Sequence, residues 1–94
     1  MSAKQIFTAQ AADGNSETFA GNGRASLKIN GVFDGCSIQL QAKTNNSNDD
    51  YSTTGDAPIT AAGVWNLEFS PNLNYRLVLS SAGASTSINA FVTQ

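Results

Sequence analysis

The chain has 94 residues, a formal net charge of −2, one cysteine and no histidine. That length suits one hydrophobic core, and the single cysteine excludes an intrachain disulfide. Five cationic residues against seven acidic ones exclude the basic face that nucleic acid needs, and without histidine the common zinc spacings and a histidine base are ruled out.

Charged residues are 13% of the chain, about half the usual share. The polar surface must then come from Asn, Ser, Thr and Gln, which favours close hydrogen-bonded contact over long-range steering. A domain of this size is marginally stable alone, so partner subunits are the expected extra source of stability.

From the N-terminus, no apolar run is long enough for a signal peptide or a membrane span, which predicts no membrane partner and a cytoplasmic site of synthesis. Gln5–Gln10 reads as a strand or an extended arm, and residues 1–12 together as an arm or edge strand able to lie across a neighbour. Asp13-Gly14-Asn15 stops the Ala9–Ala12 stretch too early for a helix, and Ser16–Ala20 reads as a short strand before Gly21-Asn22-Gly23.

Leu27, Ile29 and Phe33 then alternate with Lys28 and Asn30, the period-two pattern of a half-buried strand. Gly31 sits within the inward series, where a bulge or a close backbone approach is expected. Asp34-Gly35 leads to a second alternating run, Ile38, Leu40 and Ala42, so the pattern predicts a hairpin over Ala25–Thr44 with a type I′ turn. Asn45–Asp50 is a polar loop tip.

Short strands are expected near Tyr51–Thr53 and Ala57–Thr60. Trp65, Leu67 and Phe69 mark a strong strand ended by Ser70-Pro71-Asn72; Tyr75, Leu77 and Leu79 mark another; Ile88, Ala90 and Val92 mark the last. The chain therefore predicts a single all-β domain over 1–94, an antiparallel β-sandwich (jelly-roll or immunoglobulin-like) or small barrel, of about six to eight strands.

Chemistry finds little to work with. Cys36 has no histidine to activate it and reads as a small buried hydrophobe; no Gly-x-Ser-x-Gly elbow occurs. Asp49 and Asp50 read as solvated loop charges, and Asp13–Glu17 lacks the downstream glutamate of an EF-hand. No catalytic residue, metal site or cofactor is expected, and the chain reads as a non-enzyme.

Trp65 could stack on a sugar, but its place in the Trp65/Leu67/Phe69 series predicts the central core residue. The candidate partner-binding residues are Val78 and Phe91, opposite the core series of two strands expected to be neighbours, with Ile6, Phe7 and Phe19 from the N-terminal region. The alternative is that the N-terminal segment covers that face.

Gly31-Val32-Phe33-Asp34-Gly35-Cys36-Ser37-Ile38-Gln39-Leu40-Gln41 resembles a pattern in small β-sandwich structural proteins of tailed bacteriophage virions, in which a strand, a Phe-x-Gly turn and an apolar-x-Leu-Gln strand open a compact sandwich. Ile59–Trp65, Tyr75–Ser80 and Ile88–Val92 extend the resemblance, which covers roughly Arg24 to Val92. Pro71-Asn72-Leu73-Asn74 departs from the Pro-x-Gly turn of those proteins.

The resemblance implies a virion protein of the capsid decoration (cement) type, made in the host cytoplasm. Its implied partners are the major capsid protein and other copies of itself, with a trimer as the expected assembly. A head–tail or tail component is the neighbouring expectation. From a different class, a carbohydrate-binding or adhesive module would use Tyr51 and the 45–50 loop.

Overall fold

Period-two alternation becomes strand throughout the computed structural model, which describes residues 3–94. The strands are β1 Ala3–Gln10, β2 Gly14–Asn15, β3 Phe19–Ala20, β4 Gly23–Val32, β5 Ser37–Lys43, β6 Ser52–Thr53, β7 Gly63–Phe69, β8 Asn74–Ser80 and β9 Ser87–Thr93. They form two antiparallel sheets. One has four strands in the order β1-β9-β4-β7; the other has five, with β2 and β3 both on one side of β8, then β5 and β6.

Counting β2 and β3 as one interrupted strand, the first strand lies beside the last, and consecutive strands pair only at β5–β6. An immunoglobulin sandwich would place its first two strands side by side. The order found is that of a jelly roll, two sheets linked by Greek-key crossings.

The predicted 25–44 hairpin is not one. Asp34 (φ 47°) and Gly35 (φ 83°) do adopt the two positive φ values, and the Cys36 N–H donates to the Phe33 carbonyl at 2.9 Å, closing the type I′ turn. Yet β4 and β5 lie in different sheets, so this turn is an arch between layers. Both edges of β4 are already taken, by β7 over Gly23–Ile29 and by β9 over Ser26–Val32. Gly31 (φ 118°) permits the β9 pairing, since a Cβ there would stand 2.0 Å from the Ser87 carbonyl oxygen. Close backbone approach, with an unbroken register, is thus what Gly31 serves.

The core lies between the sheets. Leu27, Ile29, Phe69, Ile88, Ala90 and Val92 face Ile38, Leu40, Leu77 and Leu79, all buried. Phe19, Phe69 and Tyr75 form an aromatic cluster with centroids 4.8–5.8 Å apart, and the Tyr75 hydroxyl accepts the Ser70 N–H at 2.8 Å. This pins the turn after β7. Its Leu73 N–H donates to the Ser70 carbonyl at 3.1 Å and Asn72 keeps a negative φ, so the departure from Pro-x-Gly is a type I turn that needs no glycine.

Residues 3–10 are an edge strand, and its contacts are internal. β1 pairs with β9, and register shifts after Gln5 and after Phe7 let two successive residues, Ile6 and Phe7, both enter the core. Asn89 Oδ1 fills the irregular ladder by accepting the Ala9 N–H at 3.0 Å and Gln5 Nε2 at 3.3 Å. Of the two alternatives expected for residues 1–12, an arm or an edge strand, the edge strand is the one seen over 3–10, and withdrawing it would empty the chain's own core. Met1 and Ser2 of that segment lie outside the described residues.

Candidate functional site

The outward residues of the four-stranded sheet form rows that follow from its register. One row runs Gln5, Phe91, Lys28, Val64 across β1, β9, β4 and β7. A second runs Thr93, Ser26, Asn66, with the Ser26 hydroxyl donating to Asn66 Oδ1 at 2.9 Å. Asn30 stands opposite Asn89, and Arg24 opposite Glu68.

The largest exposed apolar side chains lie on this face: Val64 at 59% and Val32 at 52% exposure, with Phe91 half-buried among them. Lys28 separates Phe91 from Val64, and its stem can cover apolar neighbours while the ammonium stays in water. The face combines the amides Gln5, Asn30, Asn66 and Asn89 with the charges of Arg24, Lys28 and Glu68 and with exposed apolar side chains, a mixture suited to shape-matched contact.

The outer face of the five-stranded sheet differs. Val78 stands between Asn15 and Gln39, and Arg76 pairs with Gln41, whose Oε1 accepts Arg76 Nε at 2.9 Å. The Arg76 guanidinium also covers the Tyr51 ring, 4.1 Å from its centroid. One face of that ring is thereby occupied, which weakens Tyr51 as a stacking platform.

A groove of ≈ 360 Å³ opens where the sheets part at β7, lined by Trp65, Leu67, Leu27, Leu40 and the Ala57–Ala62 segment. Trp65 and Leu67 belong to the inward series of β7 but stay half-buried, because the segment lining the groove with them, residues 56–62, is irregular apart from the Ile38–Ile59 bridge. Trp65 is therefore a groove wall, and Phe69 takes the central buried position predicted for it.

The predicted contact residues separate. Ile6, Phe7 and Phe19 are at most 5% exposed and belong to the core, so they offer no surface. Val78 and Phe91 sit on opposite outer faces, because β8 and β9 are in different sheets rather than neighbours. Val32 and Val64 were missed, although both fall in outward series that alternation reveals, at 28/30/32 and 64/66/68.

Polar groups that could be mistaken for chemistry hold loops instead. Asp49 accepts the Thr44 N–H and hydroxyl at 2.7 Å each and the Asp50 N–H at 2.9 Å, donors that hold its carboxyl below the ordinary 3.8. Asp13 Oδ1 accepts the Ala82 N–H at 2.8 Å. Among the described residues no three Cys, Asp or Glu side chains converge as a metal site would require. Cys36 is buried, and burial pushes its thiol above the ordinary 9.0.

No protein family, curated protein or solved structure matches the chain.

Proposed function

We propose that this chain is a bacteriophage virion structural protein of the decoration type, attached to the head surface through the major capsid protein and stabilising the particle by contact. The observation that carries the reading is the outer face of the four-stranded sheet, where exposed Val32 and Val64 and half-buried Phe91 stand in an amide-rich surround. The jelly-roll order supports it at the level of fold alone, since capsid and lectin domains share that architecture. Many copies on one particle would turn individually weak contacts into firm retention.

The test is a reconstruction of particles assembled with and without the chain, together with heat challenge of both. Density on the head and lower heat tolerance without the chain are expected; density at the neck or tail would reassign it as a head–tail or tail component. Val32→Lys combined with Phe91→Ser is expected to abolish co-sedimentation with particles while the isolated chain keeps its β circular dichroism. Unchanged co-sedimentation would remove this face from the contact.

The Trp65 groove favours a second reading, a carbohydrate-binding module, because an accessible indole wall can stack on a sugar ring. A glycan array separates the two: a reproducible ligand lost in Trp65→Ala supports the module, and an empty array leaves the decoration reading alone.

A further inference from the structure

The four sheet edges are not alike. β1 is interrupted by two register shifts, a positive φ at Ala9 and the lysine Lys4. β2, β3 and β6 are two residues each. Such bulges, charges and short lengths are how proteins keep edges from pairing. β7 has none of these devices except the charge of Glu68. It is seven residues long, pairs with β4 in unbroken register from Gly63 to Phe69, and among the described residues has no strand on its other side. It also carries the most exposed valine and the two half-buried groove residues.

We propose that β7 is a self-association edge, on which a second copy of the chain pairs antiparallel about a two-fold axis through Asn66. The register is chosen by what it brings together. Centring on Asn66 sets Trp65 opposite the second copy's Leu67 on the groove side, so the two incompletely covered apolar residues cover each other. On the outer side it sets Val64 opposite the second copy's Glu68.

The outer row then reads Phe91, Lys28, Val64 and, in the second copy, Glu68 and Arg24. Each Glu68 then stands beside its own Arg24 and the second copy's Val64, with the second copy's Lys28 one strand further on, about 10 Å away along the row, so opposite charges flank it at unequal distances. At the axis, Asn66 Oδ1 is already engaged by Ser26, which leaves the amide nitrogen to donate across to the other copy's Asn66. The two four-stranded sheets become one continuous sheet, and both exposed β7 edges disappear. A two-fold contact of this kind is isologous and closes as a dimer, in contrast to the trimer that the resemblance implies.

The proposal goes beyond attachment to a particle and is read on the purified full chain with no particle present, so the two ideas fail separately. Sedimentation over a concentration series is expected to show a monomer–dimer equilibrium. Asn66→Lys, which sets like charges against each other at the axis, is expected to weaken it by about tenfold or more.

Register is tested by cysteine pairing under mild oxidation, with Cys36 left in place because it is buried. Paired residues stand about 5 Å apart, within disulfide reach. Asn66→Cys is expected to form a covalent dimer, as is Val64→Cys with Glu68→Cys; Val64→Cys alone is not, because each Val64 lies well away from its counterpart. All three positions are exposed, so folding tolerates the changes. A monomer at every concentration, a dimer indifferent to Asn66→Lys, or cross-linking as strong through Val64→Cys alone would each overturn the proposal. A monomer whose β7 amides gain exchange protection only on particles would also overturn it and assign the edge to a partner's strand.

Discussion

Ser16 does more than its place between two short strands would suggest. Its hydroxyl accepts the Leu77 N–H at 2.8 Å and donates to the Glu17 carbonyl at 2.8 Å, while its own N–H donates to the Leu77 carbonyl. It stands in for the ladder that lapses between β2 and β3, and it is buried. Ser16→Ala leaves a buried N–H unpaired, so urea unfolding is expected to report a loss of about 1–3 kcal/mol. Exposed Ser52→Ala should stay within about 0.5 kcal/mol.

Cys36 sets a pH dependence. Burial pushes its thiol above the ordinary 9.0, against a smaller opposing effect of the Thr86 hydroxyl. Once pH passes the unfolded value, the unfolded chain has released a proton that the folded chain still holds, so stability falls as pH rises until the folded pKa is reached. The expected outcome is a urea midpoint that declines from about pH 8 to about pH 10, with a shallower decline in Cys36→Ala.

At the scale of elements, the arches at one end of the sandwich are coupled. The β4–β5 turn and the Ser81–Thr86 connection are tied by Ser85 N–H to Asp34 Oδ2 at 2.8 Å and by the Thr86 hydroxyl to the Phe33 carbonyl at 2.8 Å. Neither tie could exist in a simple hairpin, since both join segments about fifty residues apart. β1 makes the clearest test at this scale. A chain beginning at Ala11 loses the burial of Ile6 and Phe7, about 3–6 kcal/mol together. That is comparable with the whole stability of a small domain, so calorimetry should find the cooperative transition lost or strongly lowered. An arm lying outside its own fold would leave the transition unchanged.

At the scale of the whole molecule, few charges and an amide-rich outer face make attachment a matter of short-range fit. If particles bind this face, co-sedimentation should change by less than about threefold when salt rises from about 0.05 to about 0.5 M. A contact run by ion pairs would lose far more. The two outer faces also divide the candidate functions: the exposed valines Val32 and Val64 lie on one sheet, while the Tyr51–Arg76 stack lies on the other.

The sequence by itself determined the β class, most strands, and which residues of the long alternating strands β4, β5, β7, β8 and β9 point inward, because a period of two is set within a strand and needs no knowledge of its neighbours. It also determined the positive φ pair at Asp34-Gly35 and the burial of Cys36. Only the tertiary structure decided which strands meet. Asp34-Gly35 became an arch because β7 and β9 outcompeted β5 for the edges of β4, a contest among segments far apart in the chain. The same contest put Val78 and Phe91 on opposite faces, drew Ile6, Phe7 and Phe19 into the core, and left Trp65 at a groove wall beside the irregular segment 56–62. Alternation says which way a side chain points; what lies beyond it depends on the partner strand, and that is settled by long-range pairing.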